Sequence, residues 1–123
     1  MKLTITTGSV KDFLERGKEF ARKLDQGEKV EPECVLSFED PQELLELVTT
    51  ARVTLFKTVK DEPGSIAEIA RRLHRDRSAV KRDVDKLSQA GLVTVEERAF
   101  HGHGRMKVVT ATSGTFQLIA HFG

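Results

Sequence analysis

The most constraining feature of the sequence is a pair of helix start signals that follow each other closely and end at a glycine. Ser65 begins a capping box with Glu68, in which the serine oxygen accepts a backbone N–H and the glutamate reaches back. Asp76 is a second N-cap candidate, and Gly91 suits the positive φ of a helix end. The spacing predicts two helices joined by a turn of about three residues.

The residues after Gly91 favour two strands with a tight turn between them. Leu92–Val95 is a strand candidate, Met106–Thr112 is the returning strand, and glycines at 102 and 104 allow the turn. Helix, short turn, helix, glycine and hairpin is the order of a winged helix-turn-helix. In that fold the second helix is placed to enter the major groove of DNA.

The second helix, at 76–90, has one apolar and one polar face. Val80, Val84 and Leu87 recur at helical spacing and predict its buried side. Residues 65–91 carry seven Lys and Arg against four Asp and Glu. Arginine matches guanine with its planar fork, whereas lysine and serine bind phosphate oxygens. We expect these outward side chains to contact DNA: Arg77, Ser78, Lys81 and Arg82.

The predicted DNA contacts extend beyond this helix. The wing is expected to grip the flanking backbone, and the helix that starts at Ser65 offers free backbone N–H groups to a phosphate. Arg75, just before the second helix, belongs to the predicted contact set. Its alternative role is structural, as the partner of a nearby charged residue. The complete predicted set is Ser65, Arg75, Arg77, Ser78, Lys81, Arg82, His103, Arg105 and Lys107.

The charges of the second helix have a second interpretation. The carboxylates of Asp83 and Asp85 repel the DNA phosphates. Their alternative role is i,i+4-type ion pairing within the helix, with Lys86 for example. For the cations of this helix, the alternative is a solvated face with no ligand.

No cofactor, metal or catalytic site is predicted. His101 and His103 are spaced so that both could bind one metal ion, but no third ligand is evident nearby. We therefore interpret this segment as the turn at the tip of the wing. Cys34 is the single cysteine, which excludes an intrachain disulfide and fits a small core residue. The sequence has no phosphate-binding glycine loop and no Ser/His/Asp order, so it is not predicted to be an enzyme.

The first part of the chain has the pattern strand, helix, strand. Leu3–Thr7 and Cys34–Phe38 favour strands, and Ser9 caps a helix that ends near Gln26. A second helical stretch, broken near 49–50, follows Asp40 and ends near residue 60. The last strand, at 115–122, is apolar on alternate positions and needs to pair. The wing sheet, the N-terminal strands and a second chain are the three candidate partners.

These observations predict an α+β fold with three parts. A strand–helix–strand extension at 1–38 precedes a winged helix-turn-helix domain at 39–112, and residues 113–123 form a C-terminal strand for pairing or dimerisation.

Composition restricts the function classes further. Hydrophobic residues make up 38% of the 123 residues, enough for a core, and no apolar run approaches the roughly 18 residues that span a bilayer. With no signal-peptide pattern at its start, the chain is expected to be cytoplasmic. Trp and Tyr are absent, which removes the usual stacking platforms for single-stranded nucleic acid. The formal net charge of +1 hides a division: −3 over residues 1–64 and +4 over residues 65–107.

Three segments carry a resemblance to a known family: Ser65–Ala70, Val80–Val84 and Leu87–Val93. They resemble the MarR/ArsR-type winged-helix regulators of bacteria and archaea. A group of small transcriptional regulators is more similar still, because Phe38–Leu44, Thr49–Arg52 and Arg75–Val84 occupy its motif positions. The resemblance covers about residues 36–112 and the N-terminal part loosely.

The resemblance implies a DNA-binding regulator, and some relatives act as antitoxins. We therefore expect a sequence-specific regulator of double-stranded DNA, a repressor that occupies an operator and binds it as a homodimer. The alternative is a protein-interaction module, such as an antitoxin whose acidic N-terminal half binds a toxin, since winged helices also serve that purpose.

Overall fold

A computed structural model describes residues 2–29, 33–100, 102, 104–113 and 115–119. The chain forms two compact units: unit 1 comprises residues 1–46 and 114–123, and unit 2 comprises residues 47–113. The helices and strands, in chain order, are β1 (Lys2–Thr7), α1 (Val10–Asp25), β2 (Glu33–Phe38), α2 (Pro41–Leu47), α3 (Thr50–Asp61), α4 (Ile66–Leu73), α5 (Arg77–Gln89), β3 (Val93–Phe100), β4 (Gly104–Ala111) and β5 (Thr115–Ile119).

Unit 1 is built on a parallel sheet in the order β2-β1-β5. The central Ile5 lies opposite Leu36 on one side and Leu118 on the other, and it is fully buried. Three partners were left open for the last strand. The structure pairs β5 with β1, one of the N-terminal strands. The predicted strand continued to 122, and residues 120–122 lie outside the described residues.

Helix α1 begins and ends where its sequence indicates. Ser9 accepts a hydrogen bond from Asp12 N, and the Asp12 carboxylate accepts one from Ser9 N, so the capping box is complete. At the other end Gly27 has φ of +76°. The structure shows none of the residues of α1 buried.

Unit 2 packs three helices against a two-stranded hairpin. Its core consists of fully or almost fully buried apolar side chains: Leu55, Phe56, Val59, Ile69, Ala70, Val80, Val84, Leu87, Leu92, Val93, Val108 and Val109. Helices α4 and α5 are joined by residues 74–76, as the capping signals predicted. His74 takes the left-handed conformation, with φ of 53°, and Asp76 accepts a hydrogen bond from Ser78 N at 3.1 Å.

The hairpin pairs β3 with β4 in antiparallel register, from Val93 opposite Ala111 to Phe100 opposite Gly104. Its first strand is longer than the predicted Leu92–Val95. Gly64, before α4, exchanges two backbone hydrogen bonds with Val109 of β4, which ties the hairpin to the start of the helix-turn-helix. The predicted α+β winged helix-turn-helix fold is thus confirmed. In the part of the chain that the structure describes, no helix is long and apolar enough to cross a membrane.

Candidate nucleic-acid interface

Helix α5 separates a buried side from a charged side. Val80, Val84 and Leu87 are at most 2% exposed and fix the helix to the core of unit 2. At 100° per residue, Arg82 and Gln89 lie opposite this stripe. The exposed polar residues of α5 are Arg77, Ser78, Lys81, Arg82, Asp85, Lys86 and Gln89. Because its apolar side is fully used, α5 can present only this polar face to a ligand.

The exposed cations of α5 are weakly engaged within the protein. Lys81 Nζ lies 3.1 Å from Asp85 Oδ2, and the two side chains are 68% and 54% exposed. A surface pair of this kind contributes little to stability and exchanges readily for another anion. It also confirms the predicted i,i+4 role of Asp85. Arg77 and Arg82 make no ion pair with any residue that the structure describes.

Asp83 has a different role from the one predicted. It does not pair within α5, because its position on the helix turns it towards α3. Its carboxylate contacts Arg52 Nε at 3.1 Å and Arg75 Nη2 at 2.8 Å, and it is only 13% exposed. Arg52 also donates to the Leu47 carbonyl at 2.9 Å. We call Arg52, Asp83 and Arg75 the arginine–aspartate cluster. It joins α3, the helix-turn-helix turn and α5.

Two residues of the predicted contact set are engaged inside unit 2. Arg75 belongs to the arginine–aspartate cluster. Ser65 is 7% exposed, and its hydroxyl accepts from Glu68 N and donates to Glu68 Oε1, both at 3.1 Å. The glutamate thus reaches back to the hydroxyl, whereas the capping box predicted a bond to the backbone N–H. Arg72 approaches the same carboxylate at 3.3 Å.

The wing carries charges of both signs. Arg105 Nη1 lies 3.7 Å from Glu97 Oε2, and Lys107 lies opposite Glu97 in the hairpin register. On the other face Arg98 lies 3.5 Å from Glu96. Arg105 and Lys107 are exposed on one face of the hairpin, with a carboxylate between them. Their attraction for phosphate is therefore partly offset.

The histidines of the wing turn, His101 and His103, lie outside the described residues, so the wing-tip contact stays a prediction. Within the described ranges, no group of three His, Cys, Asp or Glu side chains is arranged to hold a metal ion.

Sequence reasoning missed three residues of this surface. Lys86 and Gln89 follow Arg82 at spacings of four and three, so helical periodicity alone places them on the same face. With Arg52, Arg75 and Asp83 they line a groove of about 470 Å³ beside α5. Arg52 occupies a motif position of the family resemblance, but the sequence does not show its pairing with Asp83, because that partner lies on another helix.

A helix-turn-helix with a capped second helix, followed by a two-stranded hairpin, defines a winged-helix domain. Residues 47–114 match the family model HVO_A0114, and the chain belongs to this family. The narrower resemblance to MarR/ArsR-type regulators stays a prediction. No curated protein sequence matches the chain.

Solved structures with a similar fold come from archaea and bacteria. A possible transcriptional regulator from Methanosarcina mazei Go1 is 22% identical, with a TM-score of 0.49; the match covers 61% of this chain and 65% of that chain, less than two thirds of its length. The transcriptional regulator BldR from Sulfolobus solfataricus is 22% identical over 87% of this chain and 71% of that chain, with a TM-score of 0.49. ZitR from Lactococcus lactis, solved in complex with DNA, is 18% identical over 87% of this chain and 68% of that chain, with a TM-score of 0.48.

Proposed function

We propose that the protein is a transcriptional regulator that binds specific double-stranded DNA through α5. The observation that carries the proposal is the division of α5. One side is a buried stripe of Val80, Val84 and Leu87, and the other is an exposed face with four cations. A helix held firmly from behind, with long polar donors in front, has the properties that reading a major groove requires.

Within this proposal the residues of α5 have distinct tasks. Arg82 lies at the centre of the outward face and is the candidate for bidentate contact with guanine. Gln89, about two turns further along, is the candidate for contact with adenine. Arg77, Ser78 and Lys81 lie near the N-terminal end of α5 and are assigned to phosphates and the first base pairs.

Arg105 and Lys107 of the wing are assigned to the flanking backbone, with a weaker contribution because Glu97 lies between them. We assign Ser65 and Arg75 to positioning rather than to DNA contact. The hydroxyl of Ser65 is taken up by Glu68, and the guanidinium of Arg75 by Asp83.

The proposed output is repression by a homodimer. A homodimer presents two α5 helices to two half-sites, and a protein bound across a promoter excludes RNA polymerase. Transcription in vitro from the upstream promoter should fall as the protein is added, and a rise would contradict repression.

Fluorescence anisotropy tests the DNA-binding proposal, with a duplex of the gene's own upstream DNA and a scrambled duplex at several salt concentrations. We expect tighter binding to the upstream duplex and a linear fall of log affinity with log salt concentration. Arg82→Ala should weaken specific binding by about 10–100-fold, the cost of one bidentate base contact. Its binding to the scrambled duplex should change much less.

Lys57→Ala is the matched control. Lys57 is an exposed cation on the side of α3 away from its buried residues, and its loss should leave affinity within about twofold. If Arg82→Ala keeps both its circular dichroism spectrum and its affinity, the role of Arg82 is wrong. If the unmodified protein binds neither duplex at low salt, the regulator proposal fails, and a stable complex with a partner protein would then support the interaction module.

A further inference from the structure

Helix α1 has a continuous apolar face that the described part of the chain leaves uncovered. No residue of this helix is buried. Its large apolar side chains remain between 37% and 64% exposed: Val10, Phe13, Leu14, Phe20 and Leu24. Together they present about 400–650 Å² of apolar surface, taking roughly 150–250 Å² for a whole large side chain. A patch of this size is as large as the largest on a typical monomer, and such patches are often functional.

We propose that this apolar face binds the same face of a second copy of the chain, with the two α1 helices antiparallel. The inference rests on the homodimer of the proposed function and names the surface that forms it.

The spacing of the apolar residues favours a helix pair. Phe13, Gly17, Phe20 and Leu24 recur at intervals of four, three and four, which is the seam of a two-helix coiled coil. In an antiparallel pair, Phe20 can lie level with Gly17 of the partner subunit while Phe13 lies level with the partner's Leu24. A Cβ atom at Gly17 would meet nothing within 4 Å, so the partner's aromatic ring has room there.

The charges beside the stripe favour the antiparallel direction. In this register Lys11 lies within one residue, about 1.5 Å along the axis, of Asp25 of the partner subunit, and by symmetry the pair occurs twice. On the other side Asp12 lies within two residues, about 3 Å along the axis, of the partner's Lys23. A parallel pair would instead bring each of these charges next to its own copy.

Two flanking residues oppose the pairing. Lys18 lies near the middle of α1, so in the antiparallel register it comes within one residue of Lys18 of the partner subunit. Arg16 lies within two residues of the partner's Lys23, as Asp12 does. The only ion pair of Lys18 among the described residues is a loose one, 3.7 Å from Glu15, with both side chains mostly exposed. The apolar area and the flanking residues together bury about 1,200 Å² in both copies, the low end for a specific complex. We therefore expect a reversible dimer with a dissociation constant in the micromolar range.

Sedimentation velocity of the full chain, without DNA and over a wide concentration range, tests the dimer. The unmodified protein should pass from monomer to dimer as its concentration rises. Phe20→Lys should remain monomeric throughout and keep its circular dichroism spectrum, since no residue of α1 is buried. Leu45→Lys is the matched control: Leu45 is 53% exposed on α2 and its replacement should leave association unchanged. A monomer at all concentrations, or equal association of Phe20→Lys and the unmodified protein, would overturn the inference.

Charge reversal tests the direction of the helices. Asp25→Lys should weaken the dimer about tenfold, because two favourable contacts become repulsive. Lys11→Asp in the same chain should restore the affinity if the helices are antiparallel, and Lys18→Gln should strengthen the dimer. A double variant no tighter than Asp25→Lys would contradict the antiparallel register. These association experiments contain no DNA, so a failure to dimerise would leave the proposal of DNA binding through α5 intact. Conversely, a stable dimer that does not bind DNA would contradict only the proposed function.

Discussion

Replacing Asp83 by asparagine removes one negative charge and keeps the size of the side chain. The carboxylate now contacts Arg52 Nε at 3.1 Å and Arg75 Nη2 at 2.8 Å. The three side chains are only 17%, 13% and 29% exposed for Arg52, Asp83 and Arg75. After the change, two guanidinium groups share a partly dehydrated site with no anion between them. We expect the free energy of unfolding of unit 2 to fall.

The magnitude follows from the two contacts. The bond from Arg52 to a charged acceptor contributes about 1.5–3 kcal/mol. Arg75 contributes about 1 kcal/mol or less, because Asp83 Oδ2 and Arg75 Nη1 lack a well-directed hydrogen bond within the described chain and Arg75 is partly solvated. Removing one partner of a fully buried pair costs about 3–5 kcal/mol, which sets the upper limit here. The expected loss is therefore about 2–4 kcal/mol.

Urea denaturation followed by circular dichroism at 222 nm measures this loss, since a chain without Trp or Tyr offers no useful intrinsic fluorescence. Asp85→Asn is the control. Asp85 lies on the same helix at the same 3.1 Å from its cation, yet that pair is 68% and 54% exposed, so its loss should cost less than about 0.5 kcal/mol. Equal effects of the two replacements would show that burial of the cluster does not control its energy.

A double-mutant cycle isolates the bond to Arg52. Arg52→Gln, measured alone and together with Asp83→Asn, should give a coupling energy of about 1–2 kcal/mol, within the range for residues in direct contact. A coupling below about 0.3 kcal/mol would refute the reasoning, because independent sites add to that accuracy.

Two backbone positions give further predictions for stability by the same urea assay. His74→Gly should raise the free energy of unfolding by about 0.5–1 kcal/mol, because the relief of strain at φ of 53° exceeds the entropy that glycine adds to the unfolded chain. A lower free energy of unfolding would contradict this account of the turn between α4 and α5. Gly64→Ala should lower it by about 1 kcal/mol, since the new Cβ lies 3.0–3.3 Å from the Arg72 guanidinium, which donates to the Glu62 carbonyl at 2.7 Å. In an Arg72→Ala background the same change should be neutral, and an undiminished loss there would show that Arg72 is not the cause.

Local signals in the sequence were sufficient for the helix ends. Ser9, Ser65 and Asp76 begin helices because each side-chain oxygen accepts a hydrogen bond from a backbone N–H within its own first turn. Gly91 ends α5 with φ of +82°, a conformation that depends on the residue itself. The stripe of α5 was equally readable, because helical periodicity needs no knowledge of the partner.

Contacts between distant parts of the chain were not readable in this way. Asp83 had Lys86 as a plausible partner in its own helix, and nothing in the sequence distinguished it from Arg52, which lies 31 residues away. The pairing of β5 with β1 was one of three that the alternating pattern allowed. The apolar face of α1 predicted an amphipathic helix, but periodicity does not say whether the covering partner lies in the same chain.

The arginine–aspartate cluster also changes how the basic surplus of the sequence is understood. Seven Lys and Arg occur between residues 65 and 91, yet Arg72 and Arg75 neutralise carboxylates inside unit 2. Four cations remain exposed on α5, and each phosphate that one of them neutralises lowers the slope of log affinity against log salt concentration by about 0.9. One copy bound through α5 alone therefore gives a slope no steeper than about −4, and two copies about −7. A steeper slope requires the wing, so the salt dependence separates its contribution from that of the helix.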